Sequence, residues 1–139
     1  MDRHDRQARL PGVGAGGQEQ ISTATVEVQS EGLAGEVAAR YLAGAGVGGL
    51  RVRDRALAAA AASIDPSVRI EIEDAASRAE TEAASSAPAD EPSADLRDPR
   101  AREVARGARE ALRALRAVLD RRCLRIDDGR CLRIDEGTS

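Results

Sequence analysis

Lysine is absent from this chain, and all 21 of its basic residues are arginine. Every mechanism that depends on a lysine amine is therefore excluded. Tryptophan and phenylalanine are missing too, which leaves Tyr41 as the sole aromatic residue. A large aromatic side chain buries about 150–250 Å2. The hydrophobic share of 42% rests largely on alanine, so the core must be thin. Two cysteines, Cys123 and Cys131, are too few for a disulfide framework. No histidine or third cysteine accompanies them, so zinc is not expected. There is no run of 18 apolar residues, and residues 1–20 lack the apolar stretch of a secretory signal. These absences give the expectation of a cytoplasmic protein without a membrane partner.

The 139 residues suffice for one ordinary domain, or for a half-domain and a separate tail. A formal charge of −3 conceals strong segregation. Residues 71–95 hold one arginine against eight acids, whereas residues 96–139 hold twelve arginines against eight acids. An acidic middle thus separates a balanced first half from a basic end.

Residues 1–10 form a charged arm, and glycines at 12, 14, 16 and 17 mark the loop that follows. Residues 24–28 suit a strand, residues 36–45 a helix with Val37, Ala38, Tyr41 and Leu42 on its apolar face, and residues 50–54 a second strand. An alanine-rich helix over 55–63 stops before Pro66, and residues 67–73 alternate as a half-exposed strand. Strand, helix, strand, helix, strand is the order of a parallel sheet built from βαβ units. Residues 74–97 are polar, small and acidic, as expected of a disordered linker.

Asp98-Pro99 opens an amphipathic helix over 99–121, with Val104, Ala108, Leu112, Leu115 and Leu119 as the apolar face. Arg102, Arg106, Arg109, Arg113 and Arg116 make a stripe on the opposite face. Glu103 and Glu110 flank it, and no aromatics are at hand for base stacking. A solvated face is expected there, not a nucleic-acid interface. A tandem repeat, Arg122 to Gly129 and Arg130 to Gly137, reads as a small hairpin turning at Asp127-Asp128-Gly129. The expected fold is therefore α/β: a truncated Rossmann-like parallel sheet (βαβαβ) over 1–73, the linker over 74–97, and an amphipathic helix with a β-hairpin over 98–139. The helix and hairpin each present an apolar face suited to covering the sheet.

Chemistry concentrates at Ser30-x-Gly32-x-x-Gly35, which stands where a phosphate-binding glycine turn belongs, between a strand and a helix. Asp54, at the end of the second strand, is placed to bind ribose hydroxyls. Glu31 puts a negative charge in the turn and is expected to repel phosphate. His4 has no acid/base partner in view and reads as an exposed surface residue.

Asp5-Arg6-Gln7-Ala8-Arg9-Leu10-Pro11-Gly12, Val26 to Gly48 and Ile64-Asp65-Pro66-Ser67-Val68-Arg69-Ile70 together resemble the ThiF/MoeB/HesA family, relatives of the ubiquitin-activating enzymes. The resemblance spans residues 2–73. It implies a Rossmann-like domain that binds Mg-ATP and adenylates the C-terminus of a ubiquitin-like protein, often a sulfur carrier. Gly32 and Gly35 would line the phosphate turn beside Ser30, Asp54 would hold the ribose, and Arg6 would be the catalytic arginine that reaches a neighbouring subunit's ATP. The departures are specific. Ala56 replaces the second acid of the family's D-x-D, and the N-L-x-R-Q stretch, the phosphate-contacting lysine, the later metal-binding Asp and both C-x-x-C zinc pairs have no counterpart. ATP therefore remains the family expectation, and Mg2+ is not expected. Three readings stay open: a weakly active adenylyltransferase, a non-catalytic partner of a ThiF-like subunit or ubiquitin-like sulfur carrier, and a decayed fragment.

Overall fold

The computed structural model describes residues 4–73 and 95–125, with side chains except those of residues 6 and 121–125. In chain order the elements are α1 (Asp5–Ala8), α2 (Gly14–Thr23), β1 (Thr25–Glu27), α3 (Gly32–Ala45), β2 (Gly49–Val52), α4 (Arg55–Ala62), β3 (Arg69–Ile72) and α5 (Pro99–Arg125). The three strands form one parallel sheet in the order β1-β2-β3, with Val26 beside Leu50 and Leu50 beside Ile70. Both crossovers advance in the same direction, so right-handed connections put α3 and α4 on the same face. This is the expected α/β fold with a Rossmann-like βαβαβ order.

Parallel sheets are usually covered on both faces. Here the strands alternate. Val26, Leu50 and Val52 point into the helical layer and are buried, while Arg51, Arg69 and Glu71 point the other way and are exposed. Arg51 Nε donates to Glu71 Oε2 at 3.1 Å on that second face. A charged, solvated face needs no second helical layer.

The interior is aliphatic and mostly small: Ala38, Ala39, Leu42 and Ala43 of α3 meet Val28, Leu50, Val52 and Leu57. Tyr41, expected on the apolar face of α3, is instead 59% exposed. The inner line of α3 runs through Ala34, Ala38, Leu42 and Ala45, all buried, and a phenol would hold the layer apart. The glycine-rich stretch expected as a loop contains α2. Its propensity is poor, but tertiary contacts support it: Gln18 Nε2 donates to the Ala45 carbonyl at 3.2 Å and the Gly48 amide to the Ile21 carbonyl at 3.2 Å.

The C-terminal helix packs chiefly on α3 and then on α2, and not across the strands. Its seam also differs from the expected one. Gly107, Ala111 and Val118 are innermost, Leu115 and Leu119 are half-buried, and Val104 and Leu112 are exposed, Leu112 at 48%. A Cβ at Gly107 would fall 2.2 Å from the Ala34 carbonyl oxygen and 2.9 Å from the Val37 Cβ. Backbones this close bring many atoms into contact without long side chains, so the small-residue seam prevails over the leucine face. Four residues of the arginine stripe are exposed and Arg109 is half-buried, with Arg106 paired to Glu103 at 2.8 Å, which agrees with a solvated face. The helix continues through Arg125, so residues 122–125 are helical and do not begin a hairpin strand. The rest of the expected hairpin, and residues 74–94 of the expected linker, lie outside the described residues.

Gly107→Val should lower stability by about 1–3 kcal/mol through overpacking. Urea titration would register this as an earlier midpoint, and an unchanged midpoint would disprove the close seam.

Candidate functional site

Strand β1 ends in a turn, Val28 to Glu31, that feeds directly into α3. Gly32 has φ +58°, which only glycine adopts without strain. A Cβ on Gly35 would lie 2.3 Å from the Ser30 carbonyl oxygen and 2.9 Å from Leu57 Cδ2. Gly32 thus makes the turn, and Gly35 permits the close approach of α3 to the Ser30 carbonyl of that turn and to Leu57 of α4. Helix α3 begins at Gly32 itself, four residues earlier than the periodicity suggests, because its first turn is built from the glycine motif.

The next βα turn lies alongside. Asp54 caps α4: its Oδ1 accepts from the Leu57 amide at 2.9 Å. Arg53, only 14% exposed, donates through Nη1 to Glu31 Oε1 at 3.3 Å and so ties the two turns together. Glu31 is therefore partly compensated by a cation, and its repulsion toward an anion is weaker than an isolated carboxylate would exert. Ser30, Gly32, Gly35 and Asp54 come together at the C-terminal end of the sheet. Arg6 does not join them. It lies in α1, whose neighbour His4 packs on Gly46 at the far end of α3. A 14-residue helix separates the two ends by about 20 Å. His4 is half-buried by this contact and not exposed as expected.

The residue that sequence reasoning missed is Glu110. Its carboxylate, carried by α5, accepts from the Gln29 amide at 2.5 Å and from the Ser30 amide, with both oxygens 3.2 Å away. Turn amides ahead of a helix N-terminus attract anions, and this chain supplies the anion from 80 residues away. Glu110 was visible only as one of two acids beside the arginine stripe.

Further acids gather here. The Glu27 carboxyl is pushed above the ordinary carboxylate range, first by burial and then by Glu73, with Arg53 and Arg51 opposing and Glu110 adding to the rise. Its Oε1 is buried without a hydrogen-bond partner among the described residues. Neither the turn amides, which hold a carboxylate, nor Asp54, engaged as a cap, stands open to a phosphate or ribose, and Glu27 feels the charges of Glu73 and Glu110. Among the described residues no group of three His, Cys, Asp or Glu side chains is placed to hold a metal ion. No described helix is long and apolar enough to cross a membrane. A separate open groove of about 400 Å3 lies between α1, α3 and α5, lined by Gln7, Arg40, Tyr41 and Leu115 among others.

Comparison with protein-family models, curated proteins and solved structures finds no match for this chain.

Two measurements probe the site. Asp54→Ala should cost about 1 kcal/mol by removing a helix cap, and a stability unchanged in urea would show that the cap is idle. Because the folded chain binds a proton at Glu27 more tightly than the unfolded chain does, stability falls as pH rises from the ordinary carboxylate value through the raised one. Glu27→Gln should therefore raise the melting temperature at neutral pH, with the gain vanishing below the ordinary carboxylate range. A gain that persisted in acid would point to packing instead of charge.

Proposed function

We propose that this chain is a non-catalytic member of the ThiF/MoeB/HesA class, a Rossmann-like half in which the nucleotide turn serves as an internal docking point and the remaining surface binds protein. Its partner is a full-length ThiF-like subunit or a ubiquitin-like sulfur carrier, both cytoplasmic. One observation carries this reading: the Glu110 carboxylate on the Gln29 and Ser30 amides, where an adenylating enzyme needs open donors for phosphate. Catalysis of adenylyl transfer depends on neutralising charge that develops on phosphate. Lysine is absent, and the acids around Glu27 work against it. Tyr41, Val104 and Leu112 are exposed side chains that a protein partner would cover.

Titration calorimetry with ATP and a pyrophosphate-exchange assay test this together. The natural chain should show no binding at micromolar ATP and no exchange. Glu110→Gln, which keeps the shape and removes the charge, should strengthen ATP binding at least tenfold and still give no exchange. Micromolar binding with exchange by the natural chain would restore the enzyme reading. Equal, weak binding by both chains would mean that the turn is no phosphate site even when Glu110 is neutral.

A further inference from the structure

Strand β3 is an outer strand of the sheet. The Arg69 amide donates to the Gly48 carbonyl at 3.2 Å and the Glu73 amide to the Val52 carbonyl at 2.9 Å, so the odd-numbered peptide groups of β3 turn inward. The peptide groups of Ile70 and Ile72 turn outward, and among the described residues no strand pairs with them. Edge strands are commonly protected by charge of one sign or by proline. This one alternates, Arg69-Ile70-Glu71-Ile72-Glu73, and the alternation is complementary to itself.

We propose that β3 pairs antiparallel with β3 of a second copy of this chain, about a two-fold axis through Ile70, to make a continuous six-stranded sheet. Symmetric pairing centred within the strand allows four registers. A pivot on Arg69 sets Arg69 against Arg69 of the second copy. A pivot on Glu71 sets Arg69 against Glu73 twice but also sets Glu71 against Glu71 of the second copy at the axis. A pivot on Ile72 sets Glu71 against Glu73 twice. A pivot on Ile70 sets Arg69 against Glu71 twice, and does so at the closely spaced, non-hydrogen-bonded positions where side chains interact most strongly. Only this register joins opposite charges throughout.

Two further observations favour it. Arg69 is exposed and has no ion-pair partner among the described residues, whereas Glu71 already holds Arg51 at 3.1 Å. Pairing extends that bridge into an alternating row, Glu27, Arg51, Glu71 and then Arg69 of the second copy, across the charged face. On the opposite face, Ile70 meets Ile70 and the half-exposed Ile72 is set beside Val68 of the second copy. Helix α4 of each copy then lies on the same side of the joined sheet, and it carries nothing larger than alanine from Ala58 to Ala62, so no bulky side chain keeps the copies apart. Strand β1 has no such complementarity: about Val26 it would set Thr25 against Glu27.

Sedimentation velocity on the full chain tests the proposal. The expected result is a species of twice the 14.6 kDa chain mass at low ionic strength, weakened by salt. Arg69→Glu and Glu71→Arg, both at exposed positions, should each give a monomer that stays folded by circular dichroism, and an equimolar mixture should return the dimer, since each variant then faces its opposite charge. Ile72→Pro, which removes an outward amide and no bond to β2, should also give a monomer. A natural chain that stays monomeric, single charge variants that stay dimeric, or a mixture that stays monomeric would overturn it.

Discussion

The contact on which this architecture turns is the approach of Gly107 to the backbone of α3 at Ala34. Without large side chains to span a gap, two helices can gain contact only by moving their backbones together, and a glycine facing an alanine permits that. Once Gly107 is seated, α5 has a fixed rotation and a fixed height. Glu110 stands three residues further on, at the level of the first turn of α3, and there it meets the amides of Gln29 and Ser30. The occupied turn is thus a consequence of the seam. Packing chosen for small residues has delivered a carboxylate to donors that would otherwise attract a soluble anion.

The sheet follows a similar economy. Its inward residues are few and aliphatic, and its other face keeps charge in water, joined by Arg51 and Glu71. Three strands with helices on one side then need no further layer. The acids at the C-terminal end belong to this pattern too, since Glu27 and Glu73 fall on the charged face. The same alternation that makes the sheet self-sufficient gathers negative charge at the C-terminal end of its strands.

Much of the fold was legible in the chain, because βαβ order and period-two alternation are local signals. The place of Gly32 and Gly35 between a strand and a helix was legible as well, but the pattern there reads as a phosphate turn, whereas the structure shows a positive φ at Gly32 and a close approach at Gly35. Three features were not. Helix α2 is hidden by Gly14, Gly16 and Gly17, whose intrinsic preference opposes a helix that only tertiary bonds sustain. The rotation of α5 is hidden because leucines advertise a face while the seam depends on what α3 can accept. Glu110 is hidden because a side chain bonding backbone amides 80 residues away leaves no periodicity and no motif. Asp54 was found for its place at the end of β2, and its carboxylate is engaged with the first turn of α4.

An interior of alanine and valine has a thermal consequence. The heat-capacity change of unfolding scales with the apolar area that water gains, and this interior offers little per residue. Its stability curve should be broad and shallow, with a low summit and gentle flanks. Such a chain gives up little on cooling or warming about its optimum.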